Sequence, residues 1–99
     1  LARAGVHGIN LKLMKVGGLS AGLRILRRAQ TLGLRVMLGC MVETSLGTTA
    51  MAHLGGLAEW LDLDAPMLIT NDPFSGVQYD QNAVLTTPDR PGIGAEPAA

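Results

Sequence analysis

The chain has 99 residues, eight basic and eight acidic side chains in balance, a hydrophobic content of 47% and one cysteine. It contains no basic run interleaved with aromatics and no apolar stretch of about 20 residues, so neither nucleic acid nor a membrane is an expected partner. Cys40 alone cannot form an internal disulfide, which fits a reducing, cytoplasmic setting and leaves a small molecule as the default ligand.

Leu1 is not an initiator methionine, and the residues after it lack the charged and apolar regions of a signal peptide; the expectation is a chain that starts inside a longer protein. "GVHGINLKL" (5–13) alternates Ile9, Leu11 and Leu13 with Gly8, Asn10 and Lys12, the period of a strand. Ser20 is a suitable helix N-cap. Leu19, Leu23, Leu26 and Ala29 then recur at helical spacing, with Arg24, Arg27, Arg28 and Thr31 on the wet face and Gly33 as the stop. "LRVMLGCM" (34–41) reads as a second strand. Leu46, Ala50, His53, Leu54 and Leu57 fit the apolar face of a second helix, and "EWLDLD" (59–64) reads as a third strand.

Strand, helix, strand, helix, strand is the order of parallel βαβ units with right-handed crossovers. The strands recur every 25 residues or so, near the spacing of a (β/α)8 barrel of about 250 residues. So few units cannot close a barrel, and an open parallel sheet with two helices leaves one face uncovered; the expected fold is therefore the last third of a larger α/β domain. From Pro66 onward turn residues dominate. "GVQY" and "AVLTT" can pair as a hairpin across "DQN", and "PDRPGIGAEPAA" reads as an extended tail. Residues 1–66 are thus assigned to barrel-type units and 67–99 to a closing hairpin and tail of the same domain.

In parallel α/β folds the loops at the carboxyl ends of the strands form the site. Three clusters fall there: Asn10, Lys12 and Lys15; Gly39, Cys40, Met41 and Glu43 with Thr44; and Asp62 with Asp64. Lys12 shares a strand face with Asn10, opposite the leucines. A lysine drawn inward there suits proton exchange, while the plainer alternative is a strand-end lysine reaching solvent. Asp62 and Asp64 sit at alternate positions, so both would project to one side while Leu61 and Leu63 pack on the other. Two adjacent carboxylates repel, and a bound cation between them relieves the conflict; the alternative is one ion pair and one turn cap. Glu43 and Thr44 also suit the start of a helix, and His53 reads as a core or boundary residue. Cys40 has no base beside it in sequence, which argues against a nucleophile. "KVGGLSAG" matches neither a P-loop nor the dinucleotide fingerprint.

"INLKLMKVGGLSAGLRILRRAQTLGLRVMLGCMVETSLGTTAMAHL", followed by "LDLDAPML" and "PGIG", resembles the C-terminal part of enolase-superfamily enzymes of the muconate lactonizing subgroup. Within that subgroup it is most similar to dipeptide epimerases of the L-Ala-D/L-Glu type. The resemblance implies that this is the region of strands six to eight of a (β/α)8 barrel. It implies that Lys12, at the end of the sixth strand, is an acid/base catalyst and that Asp62 and Asp64 hold the substrate's α-ammonium group. Gly39, Cys40, Met41 and, by analogy, Glu43 would line the substrate site. The implied reaction inverts a carbon next to a carboxylate by proton abstraction, with Mg²⁺ stabilising the enediolate and a second lysine on the opposite face. The metal ligands, that partner lysine and the capping domain are expected before Leu1, so no metal ligand is assigned here, and the parent's oligomeric state is left open. Competing readings are an N-acylamino acid racemase, an o-succinylbenzoate synthase, a cycloisomerase, a small binding module, or a truncated product that is inactive alone.

Overall fold

The computed structural model describes residues 2–99. In chain order it contains β1 (Gly8–Lys12), α1 (Leu13–Val16), α2 (Leu19–Thr31), β2 (Arg35–Gly39), α3 (Ser45–Ala52), β3 (Trp60–Asp62), β4 (Phe74–Ser75), β5 (Gln78–Tyr79), β6 (Leu85–Thr86) and β7 (Glu96–Pro97). Short 3₁₀ turns occupy Ala2–Ala4, Gly55–Leu57 and Ala65–Leu68. No helix of the described residues is long and apolar enough to cross a membrane.

The first three strands form a parallel sheet in the order β1, β2, β3. Residues on one rung of a parallel sheet point the same way, so alternation along each strand gives the sheet two unlike faces. Leu11, Val36 and Leu38 occupy one face and pack with Leu26 and Ala29 of α2 and Met51 of α3. Leu26, Leu38 and Met51 are fully buried, each worth about 1.5–3 kcal/mol of transfer free energy. The opposite face carries Asn10 and Lys12 from β1, Arg35, Met37 and Gly39 from β2, and Trp60 and Asp62 from β3. Among the described residues this face is open: Asn10 is exposed and Trp60 is half-exposed, with the Arg35 guanidinium 5.3 Å from the centre of its ring.

The βαβ reading of the sequence holds, with several local corrections. β1 is shorter than the alternating run, because Leu13 already begins α1. Ser20 is not the cap of α2; the helix begins directly after Gly17 and Gly18, whose φ values of 89° and 117° respectively turn the chain in a way that favours glycine. Gly33, with φ 68°, follows the end of α2 as expected. α3 is shorter than the apolar run suggests, and its buried residues are Ser45, Thr48, Thr49, Met51 and Ala52, whereas Leu46 is 40% exposed. The reason lies in what covers it. The segment after β3 packs on the small hydroxyl-bearing side: Val77 N–H donates to Thr49 Oγ1 at 2.9 Å, and Gly76 sits so close to Thr49 that a side chain there would collide with it.

The expected hairpin forms between β5 and β6, with Asp80 Oδ1 accepting the N–H groups of Asn82 and Val84 in its turn. The tail is not wholly unpaired, since β7 lies antiparallel to β4.

Candidate functional site

Lys12 ends β1 with extended backbone, and α1 carries the chain away immediately after it. Its side chain lies on the open face, half-buried, and Nζ is 4.0 Å from Met41 Sδ. The ammonium therefore sits over the loop that leaves β2. Lys15 is exposed on α1.

Register puts Lys12, Gly39 and Asp62 on one rung. Gly39 is buried, and a methyl group on it would come within 2.5 Å of Asn10 Oδ1. Glycine is what admits the Asn10 carboxamide over the middle of the rung.

The β2–α3 loop contributes two further groups. Cys40 donates its thiol hydrogen to the Asp62 carbonyl at 3.3 Å, and its sulfur lies 3.7 Å from Asp64 Oδ1. Burial pushes the thiol up; backbone N–H groups of Ala65 and Asp64 oppose this, and the Asp64 carboxylate adds to it. A thiol held protonated is a poor nucleophile, in keeping with its sequence surroundings. Glu43 is 7% exposed, with Oε2 lacking any hydrogen-bond partner among the described residues. Burial pushes its carboxyl up, while the Met41 N–H and the Lys12 charge pull it down.

The two aspartates are brought together, but not as the alternation of "LDLD" implies. β3 ends at Asp62, and Asp64 has φ −95° and ψ −1°, starting the Ala65–Leu68 turn. The carboxylates therefore come from different backbone environments, one on the strand and one in the bridge conformation common among active-site residues. Leu63 between them is buried, whereas Leu61 is 46% exposed, so the pair of leucines does not pack as a unit. Both aspartates border a cleft of about 400 Å³ whose other wall includes Met67, Tyr79, Val84 and Leu85.

Two residues that sequence reasoning missed hold this arrangement. Tyr79 donates its hydroxyl hydrogen to the Leu63 carbonyl and pins the chain between the aspartates. Burial pushes the phenol up to about 12, with the charges of Cys40 and Asp64 adding to the effect, so it stays a donor. Asp72 caps α3 from 27 residues away: Ser45 donates to its Oδ2 from N at 2.8 Å and from Oγ at 2.6 Å. Thr44, at the N-cap position, makes no side-chain cap, and Glu43 turns inward instead. His53 is exposed rather than core, with Nε2 at 2.8 Å from the Ile93 carbonyl. No group of three or more His, Cys, Asp or Glu side chains among the described residues is placed to hold a metal ion.

The family model for the enolase C-terminal domain-like family matches residues 1–99. The L-Ala-D/L-amino acid epimerase of Pedosphaera parvula is 42% identical over 89 residues, covering 88% of this chain and 26% of that protein. The substrate-liganded L-Ala-D/L-Glu epimerase from Bacillus subtilis superposes with a TM-score of 0.88 at 37% identity, over 98% of this chain and 28% of that one. The dipeptide epimerase from Cytophaga hutchinsonii, complexed with Mg and D-Ala-L-Val, superposes with a TM-score of 0.85 at 32% identity, over 93% of this chain and 26% of that one. The chain thus spans about a quarter of the length of the relatives it matches.

Proposed function

For a chain that belongs to the enolase C-terminal domain-like family, whose domain is a (β/α)8 barrel, we propose the part of a dipeptide epimerase that carries one catalytic lysine and the socket for the substrate's α-ammonium group. On this reading β1, β2 and β3 are the sixth, seventh and eighth barrel strands, and residues 67–99 close the same domain. The observation that carries it is the rung Lys12, Gly39, Asp62, which sets a proton-transfer group and an anion on the same face of the sheet with one strand between them.

Lys12 in its neutral form takes the proton from the carbon next to the substrate's carboxylate, and as an ammonium it returns one to the same face. Asp62 and Asp64 receive the dipeptide's α-ammonium, whose charge relieves their mutual repulsion. Gly39, Cys40 and Met41 line the space between these groups, and Glu43 lies behind them. The described residues build no metal-binding cluster. The Mg²⁺ that accompanies a dipeptide in the Cytophaga hutchinsonii relative is therefore not assigned to them. What this chain's own residues supply is proton transfer and charge recognition.

The test compares a dipeptide bearing a free amino terminus with its N-acylated analogue in the complete enzyme. Epimerisation of the first and not the second is expected. Preference for the N-acylated compound would replace this reading with that of an N-acylamino acid racemase.

A further inference from the structure

The carboxamide of Asn10 lies over β2, between the strands that carry Lys12 and Asp62. Asn10 itself belongs to β1, two residues before Lys12 on the same open face, where it is exposed and shares a rung with Met37. Its side chain does not stay on that rung. It leans toward the middle of the next one: a methyl group on Gly39 would come within 2.5 Å of Asn10 Oδ1 and within 3.3 Å of Cγ and Nδ2. The carboxamide thus fills the place that any side chain on Gly39 would take, and it forms the floor between the lysine on one side and the aspartate on the other.

We propose that Asn10 is a substrate-binding residue that recognises the peptide group of the dipeptide, its Nδ2 donating a hydrogen bond to the peptide carbonyl oxygen. The proposal rests on the reading of Lys12 as the acid/base group and of the aspartates as the ammonium socket. In a dipeptide the α-ammonium is joined to the acidic carbon through the first α-carbon and the peptide C–N bond. With the two ends held at Asp62 and Lys12, the group left above Gly39 is the peptide unit, and the side chain beneath it is the Asn10 carboxamide.

The residue type fits that place. Oδ1 is the atom turned most closely onto Gly39, which leaves the Nδ2 hydrogens for a ligand acceptor. A carboxamide is also neutral. A charged side chain on this floor would pair with Lys12 or with Asp62 and compete with the substrate for it. Because α2 and α3 cover the other face of the sheet, the open face is the inner one in a (β/α)8 barrel, where an amide without a partner is costly.

The experiment gives the complete enzyme a free dipeptide and its thioamide, in which sulfur, a weak hydrogen-bond acceptor, replaces the peptide oxygen. The wild type should favour the oxygen compound about tenfold in kcat/KM over whatever preference remains when the donor is removed. Asn10→Leu removes that donor at similar volume. It should lower kcat/KM for the oxygen compound about tenfold and change that for the thioamide much less. A folded Asn10→Leu that keeps the wild-type preference overturns the proposal, because an asparagine that only braces the sheet affects both compounds alike. If Asn10→Leu does not fold, Asn10→Ala, which only removes atoms from an exposed side chain, is measured in the same way. A wild type indifferent to the sulfur overturns the proposal without any variant. Failure of the epimerase reading looks different: a wild type that epimerises no free dipeptide removes that reading and this proposal together, whereas normal turnover with an unchanged preference removes this proposal alone.

Discussion

Lys12 and Asp62 lie on one rung of the parallel sheet with Gly39 as the single residue between them. Two interstrand spacings set their Cα atoms about 10 Å apart, a separation that one small ligand can bridge with its acidic carbon at one end and its ammonium at the other.

Replacing Lys12 with methionine keeps an unbranched side chain, one atom shorter, and removes the amine. Exchange of the substrate α-proton with deuterium from solvent should fall by about 10²–10⁴ for the isomer whose proton faces Lys12. Following the D- and L-isomers separately by NMR checks this. Equal exchange from both isomers at the wild-type rate would remove Lys12 from the reaction.

The aspartate pair should act on recognition rather than on proton transfer. Hydrogen bonds to charged groups contribute about 1.5–3 kcal/mol each. Asp62→Asn with Asp64→Asn should therefore lower kcat/KM for dipeptides with a free amino terminus by at least about tenfold. The loss should lie mainly in KM, with kcat at saturating dipeptide changed much less. Full activity of the double variant toward free dipeptides would show that the ammonium binds elsewhere.

Gly39→Ala tests the close fit of Asn10 over the middle of the rung. The new methyl would meet Asn10 Oδ1 at 2.5 Å, so Asn10 must move or the strands must part. A cost of about 1–3 kcal/mol in denaturant unfolding is expected, with loss of turnover at temperatures where the variant is still folded. A variant as active and as stable as the wild type would mean that the face has room to spare.

Cys40 gives a prediction that needs no substrate. Burial and the Asp64 carboxylate both favour the protonated thiol, and they outweigh the backbone N–H groups that oppose them. Its alkylation by iodoacetamide at pH 8 should be slower than that of the unfolded chain and should accelerate only above the ordinary thiol value of 9.0. Rapid labelling at neutral pH would contradict this and mark the thiol as activated.

The parts of the fold legible in the sequence are those where one pattern has one meaning. Ile9 and Leu11 set against Asn10 and Lys12 gave the face of β1, and Leu26 with Ala29 gave the buried stripe of α2. α3 was misread because Ala, Met, Thr and Ser surround it on every side, so periodicity cannot choose a face; the choice is made by Gly76 and Val77 from a distant loop. For the same reason Tyr79 and Asp72 left no signal. Their partners, the Leu63 carbonyl and Ser45, are 16 and 27 residues away, and nothing in a local stretch such as "QYDQ" or "TNDP" announces a long-range hydrogen bond. Asp62 and Asp64 were found through spacing, yet the strand that spacing assumes stops at the first of them.

Asp72 ties the segment after β3 to the helix after β2, and its loss should be felt as stability before it is felt as activity. Its Oδ2 takes both the N–H and the hydroxyl of Ser45, and its Oδ1 takes the Phe74 N–H at 3.0 Å. Asp72→Ala removes a helix cap and frees the loop, which should cost about 1–2 kcal/mol in the complete enzyme. Burial by itself would push the carboxyl up, but the Ser45 hydroxyl and the Phe74 and Ser45 N–H groups outweigh it and hold the group below its ordinary value of 3.8. A carboxyl whose folded value is the lower one stabilises the fold at every pH above its unfolded value and loses that contribution as pH falls through the folded value. The stability difference between wild type and Asp72→Ala should therefore stay constant from neutrality down to pH 4 or so and shrink only in stronger acid. Denaturant titrations at a series of pH values measure it, and a difference that already vanishes between pH 5 and pH 7 would show that these hydrogen bonds do not hold the carboxylate in its charged form.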